Sequence, residues 1–385
     1  LHSCAFQPLF LTVGLLFPGK TVIIISMIVN NKEYRTVWME GREVKMINQH
    51  LLPFRFEIIS MVDYRQTAES IRNMTVRGAP AIGAAAAYGL VQAALAADDA
   101  AFDSCIKSAY DTLKNTRPTA RNLFFALDRI LSVIEASGTP GEARERACSE
   151  AEALVEEGIN ACRMIGMHGL ELIRDGMTIL THCNAGWLAC VDWGTALAPV
   201  YMAARKGFNL TVLADETRPR CQGSYLTAWE LMQEGINVEI IVDNAAGHYL
   251  RTGQVDLCIV GTDRAAANGD IANKIGTYEK AVIAKENGIP FYAAVPLSTF
   301  DLSCATGNDI PIEERSPGEV LTIPGMDSDG NLSEVSIAPA GAHARNPAFD
   351  VTPAQYLSGI ITENGIIQAD RTSIATLFAD LKDAG

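Results

Sequence analysis

Two residues stand out for the chemistry they can do and for where they stand. Cys183 lies in Thr181-His182-Cys183-Asn184-Ala185-Gly186, just past the apolar run 177–180, and Asp263 lies in Gly261-Thr262-Asp263-Arg264, just past Leu257–Val260. A thiol near a helix start has a lowered pKa and becomes a usable nucleophile or base. A strand-end carboxylate is a common acid–base group. Both types also have plain structural uses, since cysteine is among the most often buried residues and aspartate is an ordinary helix cap. If the two strand ends converge, Cys183 and Asp263 face one substrate from two sides, as isomerisation by proton transfer requires.

Three further stretches offer anion-binding groups. In Arg77-Gly78-Ala79-Pro80-Ala81-Ile82-Gly83, Pro80 suits a first helical turn and Gly78 lets the backbone approach a ligand. The N–H groups of the following helix would point at an anion, and Arg77 adds a planar fork. The same residues also spell an ordinary capped helix. Residues 268–277 bring Asn273, Lys274 and Gly276 to a second helix start, with an ammonium and N–H groups suited to phosphate. Residues 216–223 add Arg218, Arg220 and Gln222 as a polar wall. Neither GxxxxGK[ST] nor GxGxxG occurs, which counts against nucleotide hydrolysis and NAD chemistry. His182 and His248 read as structural. With no HxxxH, HExxH or CxxC pattern, no metal is expected.

The elements that must position these residues follow from the apolar pattern. Strand-like runs at 177–180, 210–213, 238–242, Leu257–Val260 and 291–295 each stop in a polar cluster, and a helix-like stretch follows each of the first four. In an open parallel sheet, ligands sit at the carboxyl ends of the strands. Upstream, residues 30–60 alternate polar and apolar around a turn at Glu40-Gly41, and 63–161 read as helices at 68–74, 81–97, 100–115, 120–136 and 141–167. The predicted class is α/β: a small strand and helical-bundle domain over 27–168, then a doubly wound, Rossmann-like parallel sheet domain over 169–385. Residues 316–336 read as a long surface excursion.

Composition narrows the function classes. The 385 residues are 48% hydrophobic and 20% charged, with net charge −14, which repels phosphate backbones and argues against nucleic-acid partners. An anionic small molecule stays open, because a few cleft arginines reverse a local field. Nine scattered cysteines fit a reducing, cytoplasmic setting. The apolar stretch 9–25 is broken by Pro18-Gly19-Lys20, so no membrane span is expected. Residues 1–26 read as a leader, disordered or a misassigned start, ahead of an ordinary segment from Met27.

The ordered set Arg77-Gly78-Ala79-Pro80, Thr181-His182-Cys183-Asn184, Glu216-Thr217-Arg218-Pro219-Arg220-Cys221-Gln222-Gly223, Asp243-Asn244, Gly261-Thr262-Asp263-Arg264, Asn273-Lys274-Ile275-Gly276 and Pro296-Leu297-Ser298-Thr299 closely resembles the methylthioribose-1-phosphate isomerase family. The resemblance runs from about Met27 to about Asp370 and leaves out the leader. It implies an aldose–ketose isomerase of methionine salvage that acts on a small sugar phosphate without metal or organic cofactor, as a homodimer. By motif it implies Cys183 and Asp263 as the catalytic pair, with Asp263 the proton donor. It implies substrate binding by Arg77, Gly78, Ala79, Gln222, Asn273 and Lys274, and by Arg117 on the shorter motif Arg117-Pro118-Thr119-Ala120. Alternatives within the superfamily are isomerases of 5-deoxyribose 1-phosphate or ribose 1,5-bisphosphate. A further one is the non-catalytic regulatory subunits of the exchange factor in translation initiation.

Overall fold

The computed structural model describes residues 27–30, 32–117 and 120–383. Upstream of these only a strand pair, Val13–Phe17 with Lys20–Ile24, is assigned, and the leader expected over 1–26 otherwise lies outside the described residues. The chain divides into two compact units, one of residues 1–50, 56–160 and 187–194, the other of 51–55, 161–186 and 195–385.

In the first unit, three antiparallel strands (Val37–Glu40, Glu43–Ile47 and Ile58–Met61) turn at Gly41 as the sequence predicts. Their alternation buries Val37, Met39, Val44 and Met46 on one face. Helices α1 (Tyr64–Arg72), α2 (Ala79–Ala96), α3 (Phe102–Lys114), α4 (Arg121–Glu135) and the start of α5 (Pro140–Leu170) complete the unit. The first helix begins earlier than its apolar pattern suggests, because the Asp63 carboxylate accepts from the N–H groups of Arg65 and Gln66 and starts it there. Helix α2 is apolar all round and buried along residues 81–94, which makes it the core element that α1, α3 and α4 pack against. It is long and apolar enough to cross a membrane, but its apolar surface is spent on this core.

The second unit is built on a seven-stranded sheet. Across it run Asn237–Ile241, Thr211–Asp215, Thr178–Thr181, Leu257–Val260, Phe291–Ala294, Gly359–Thr362 and Gly365–Ile367. All pairs are parallel except the last, which is antiparallel. The doubly wound parallel class read from the sequence is therefore the one observed. One expectation is corrected. The fourth strand is not followed directly by a helix, because Arg264–Ala266 and Ile271–Lys274 intervene as an antiparallel pair. They join a separate four-stranded sheet with Phe300–Asp301 and Phe349–Thr352 before the helix Thr277–Glu286 begins. The predicted excursion contains a short helix, Gly318–Leu321, and an exposed hairpin of Thr322–Met326 with Leu332–Ser336.

Leu113 of α3 is fully buried in the first unit's core. Leu113→Ala is expected to cost about 2–5 kcal/mol through lost burial and the cavity left behind. A chemical-unfolding midpoint unchanged from the parent would contradict that packing.

Candidate active site

Strand order decides where a ligand can sit in the second unit. The chain lays down Thr178–Thr181, adds the next two strands on one side, then crosses to place Leu257–Val260 on the other. Growth of the sheet reverses between these two strands, and in open α/β sheets the crevice beyond their carboxyl ends is the binding position. Cys183 follows the first of the pair and Asp263 the second. The two strand ends do converge. A side chain on Gly261 would put its Cβ 2.6 Å from the Cβ of Ala185, so only glycine permits the approach.

Cys183 is buried and sits at φ +68°, in the left-handed region. That conformation costs a non-glycine residue about 1–2 kcal/mol. Two threonine hydroxyls hold it, one from the loop after Thr211–Asp215 and one from the helical turn Gly223–Thr227. The Cys183 N–H donates to Thr217 Oγ1 (2.9 Å), and Thr227 Oγ1 donates to the Cys183 carbonyl (2.7 Å). Behind them, the fully buried Glu230 carboxylate accepts from Asn184 Nδ2 and from Tyr201 Oη, both at 2.7 Å. Burial, with Glu230 alongside, pushes the Tyr201 hydroxyl well above its usual pKa, so it remains a donor.

Asp263 is partly exposed, and its N–H donates to the Ala272 carbonyl (2.9 Å), which ties its loop to the Ile271–Lys274 strand. Near it in sequence, Thr262 Oγ1 is buried with no hydrogen-bond partner among the described residues, as is Gln222 Oε1 of the second strand-end loop. Buried polar atoms are nearly always paired, so each of these calls for an ordered water or a polar ligand. The arginines expected beside Gln222 are engaged elsewhere. Arg218 Nη2 donates to the Val320 carbonyl (2.9 Å), Arg220 pairs with Glu319 (3.0 Å), and Tyr225 Oη bonds the Pro324 carbonyl. They fasten the 316–336 excursion to this loop.

Asn273 and Lys274 are both buried. Asn273 Nδ2 donates to Thr277 Oγ1 (3.0 Å), while Lys274 Nζ donates to the Ala348 carbonyl (2.9 Å) and stands 4.6 Å from the centre of the Phe349 ring. Two of the N–H groups offered for an anion at the following helix are already taken, because Gly276 and Tyr278 donate to the two oxygens of Asp350 (2.7 and 3.1 Å). Burial raises the Asp350 pKa against these two bonds. His182, expected to be structural, is bonded at both ring nitrogens. Its Nδ1 meets Asp215 Oδ2 (2.9 Å) and its Nε2 the Ile275 carbonyl (2.8 Å), with Lys280 Nζ 3.5 Å from the same Asp215 oxygen. His182, Asp215 and Asp243 bring their ligand atoms within 4.8 Å of one another, and Asp215 Oδ1 is buried with no hydrogen-bond partner among the described residues, while the other atoms of the trio have partners. Both ring nitrogens of His182 are bonded, and the Asp243 carboxylate accepts from the N–H groups of Thr217 and Arg218.

In the first unit, Gly78 caps α2 at φ +92° with Ala79 and Pro80 opening the helix. Its missing side chain serves a protein contact, since a Cβ there would fall 2.3 Å from the Ala189 carbonyl oxygen. Arg77 is half-buried and Arg117 buried. Sequence reasoning missed Thr217, Thr227, Glu230 and Asp350, whose roles come from contacts many residues away. The polar strand-end loop 216–223 drew attention only to the segment of Thr217, whereas Thr227 and Glu230 lie in helical turns and Asp350 in a strand.

The chain matches the model of the Initiation factor 2 subunit family over residues 75–369. It is 48% identical over 366 residues to the methylthioribose-1-phosphate isomerase of Methylocella silvestris, covering 92% of this chain and 99% of that one. Identity to the enzyme of the same name from Acidiphilium cryptum is 49% over 364 residues, covering 92% and 98%. The crystal structure of 5-methylthioribose 1-phosphate isomerase from Pyrococcus horikoshii superposes with a TM-score of 0.82 at 45% identity, covering 90% of this chain and 96% of that one. The structure of translation initiation factor eIF-2B subunit delta from A. fulgidus superposes with a TM-score of 0.77 at 40% identity, covering 89% and 100%.

Glu230→Ala is expected to remove the carboxylate to which Asn184 and Tyr201 donate and to cost on the order of 3 kcal/mol, with Glu230→Gln costing less. Unfolding curves for the two variants check this; parent-like curves for both would mean that the carboxylate does not support the Cys183 loop.

Proposed function

The chain belongs to the Initiation factor 2 subunit family, and we propose that it isomerises 5-methylthioribose 1-phosphate to 5-methylthioribulose 1-phosphate, an aldose–ketose step of methionine salvage. The observation that carries this reading is near-full-length identity of 47–49% to several proteins bearing that activity in their names. The placement of Cys183 and Asp263 beyond the two strands that flank the reversal of the sheet agrees with it.

The substrate's anomeric carbon is a phosphate ester, so the ring cannot open by loss of a hydroxyl proton. Asp263 supplies a proton to the ring oxygen as the C1–O bond breaks. The hydrogen on C2 passes to C1, and the C2 hydroxyl gives up its proton as the ketone forms, restoring the acid. Cys183 is the group assigned to the C2 hydrogen, and general acid–base groups of this kind contribute about 10²–10⁴ in rate. We assign substrate binding to Gln222, Asn273 and Lys274 and, by resemblance, to Arg77, Gly78, Ala79 and Arg117. Among the described residues all eight cysteines are free thiols, which supports a reducing, cytoplasmic setting. The proposed assembly is a homodimer.

The test is an isomerase assay on the purified chain with 5-methylthioribose 1-phosphate and 5-deoxyribose 1-phosphate side by side. Ketose formation from the methylthio sugar is expected, with Cys183→Ser and Asp263→Asn each lowering kcat by about 10²–10⁴. Turnover of the deoxy sugar alone would move the substrate, and near-normal turnover by Asp263→Asn would remove the acid assignment. Silence on both sugars would favour a regulatory, non-catalytic role. Light scattering after size exclusion should give twice the chain mass of 41.4 kDa; a single-chain mass would overturn the dimer.

A further inference from the structure

We infer that His182 and Asp350 are positioning residues that clamp the Ile275-Gly276 turn from two sides and thereby fix Asn273 and Lys274, at the end of the strand that enters it, for substrate. The inference rests on the proposed substrate-binding role of those two residues.

The loop leaves the Ile271–Lys274 strand and turns at Gly276, which sits at φ +101°. Its backbone groups have specific partners. The Ile275 N–H donates to the Ala348 carbonyl (3.1 Å), and the Ile275 carbonyl faces His182 Nε2 at 2.8 Å. The Gly276 and Tyr278 N–H groups are held by Asp350, which is also the residue directly paired with Asn273 across the two strands. The imidazole lies against Gly276 so closely that a Cβ there would stand 3.3 Å from Cε1 and Nε2.

A carbonyl can only accept, so His182 carries a proton on Nε2. The Nδ1 contact then needs one more proton, held between the ring and Asp215. Lys280, on the helix that the loop starts, closes the circuit at 3.5 Å from Asp215. The charged groups around the ring are Asp215, Asp243 (4.0 Å), Lys280 and Asp350, while Glu279 pairs with Lys280 from outside. His182, Lys280 and Asp215 are at most 1% exposed. Buried ionic clusters of this kind are weak sources of net stability, since apolar side chains of similar volume often serve as well. What this one supplies is a fixed link between two loops. His182 adjoins Cys183, so one end of the clamp is anchored at the strand end that carries the proposed base.

The test separates the two ring nitrogens. Asparagine at 182 reaches the position of Nδ1 and keeps the Asp215 contact. Glutamine reaches the position of Nε2 and keeps the Ile275 contact. In full-length enzyme assayed with 5-methylthioribose 1-phosphate, His182→Asn is expected to raise KM about tenfold with kcat changed less than about threefold. His182→Gln should restore KM to within about threefold of the parent, and Asp350→Asn should raise KM as His182→Asn does. Equal KM values for the parent, His182→Asn and Asp350→Asn would overturn the clamp, as would loss of kcat at unchanged KM. If His182→Asn fails to fold, Asp350→Asn decides alone. Lys274→Ala is the control for the underlying reading. If the parent turns over but Lys274→Ala leaves KM unchanged, the substrate-binding assignment fails, whatever the clamp variants do.

Discussion

The reversal of sheet growth between Thr178–Thr181 and Leu257–Val260 is the constraint on which the second unit's chemistry rests. Crossovers between parallel strands are right-handed, so strands added on opposite sides of a starting strand send their helices to opposite faces. The carboxyl ends of the two strands at the reversal are left uncovered by either set. Among the described residues, no other pair of neighbours in this sheet flanks such a reversal. The proposed base and acid occupy the loops after those two strands. The contact of Gly261 with Ala185 keeps the loops from being wedged apart.

Local backbone energetics explain why the loops around Cys183 are so densely bonded. Cys183, Thr217 and Cys221 all lie at positive φ, between +54° and +68°. At about 1–2 kcal/mol each, these residues cost on the order of 3–6 kcal/mol. Thr217 alone answers with its N–H to Asp243 (2.7 Å), its hydroxyl to the Asp215 carbonyl (2.9 Å), and that same hydroxyl accepting from Cys183. Neutral hydrogen bonds contribute about 0.5–1.5 kcal/mol each, more when a carboxylate is involved, so anchors and strain come out near even. The cluster therefore fixes where the thiol stands more than it stabilises the fold.

How much of this was legible in the sequence depends on the range of the interaction. Strand ends and helices were readable because apolar periodicity is local, and α2 announced itself as a run of alanines with no polar face. Cys183 and Asp263 were readable because polar residues directly after apolar runs mark strand ends. The antiparallel pair at 264–274 was not, since its short strands carry no alternation that a helix start would lack. Thr217, Thr227 and Glu230 were hidden for a different reason. Each acts on the Cys183 loop across 34 to 46 residues of chain, and nothing in a local window shows such a pairing.

The helix start at Thr277 shows how a sound local rule can be overridden. Free N–H groups at a helix N-terminus attract an anion, and here the anion is the protein's own Asp350. An internal carboxylate is present at all times and pre-orders the turn, whereas a substrate phosphate would have to order it on arrival. Ordering in advance lowers the entropic cost of binding. In the proposed binding role, an incoming phosphate would meet the Lys274 ammonium rather than the helix start, and the nearby acids do not oppose it freely. Asp215 is balanced by His182 and Lys280, Asp243 by the N–H groups of Thr217 and Arg218, and Asp350 by those of Gly276 and Tyr278. A chain of net charge −14 can thus present a locally cationic loop, because the carboxylates closest to it already have fixed donors.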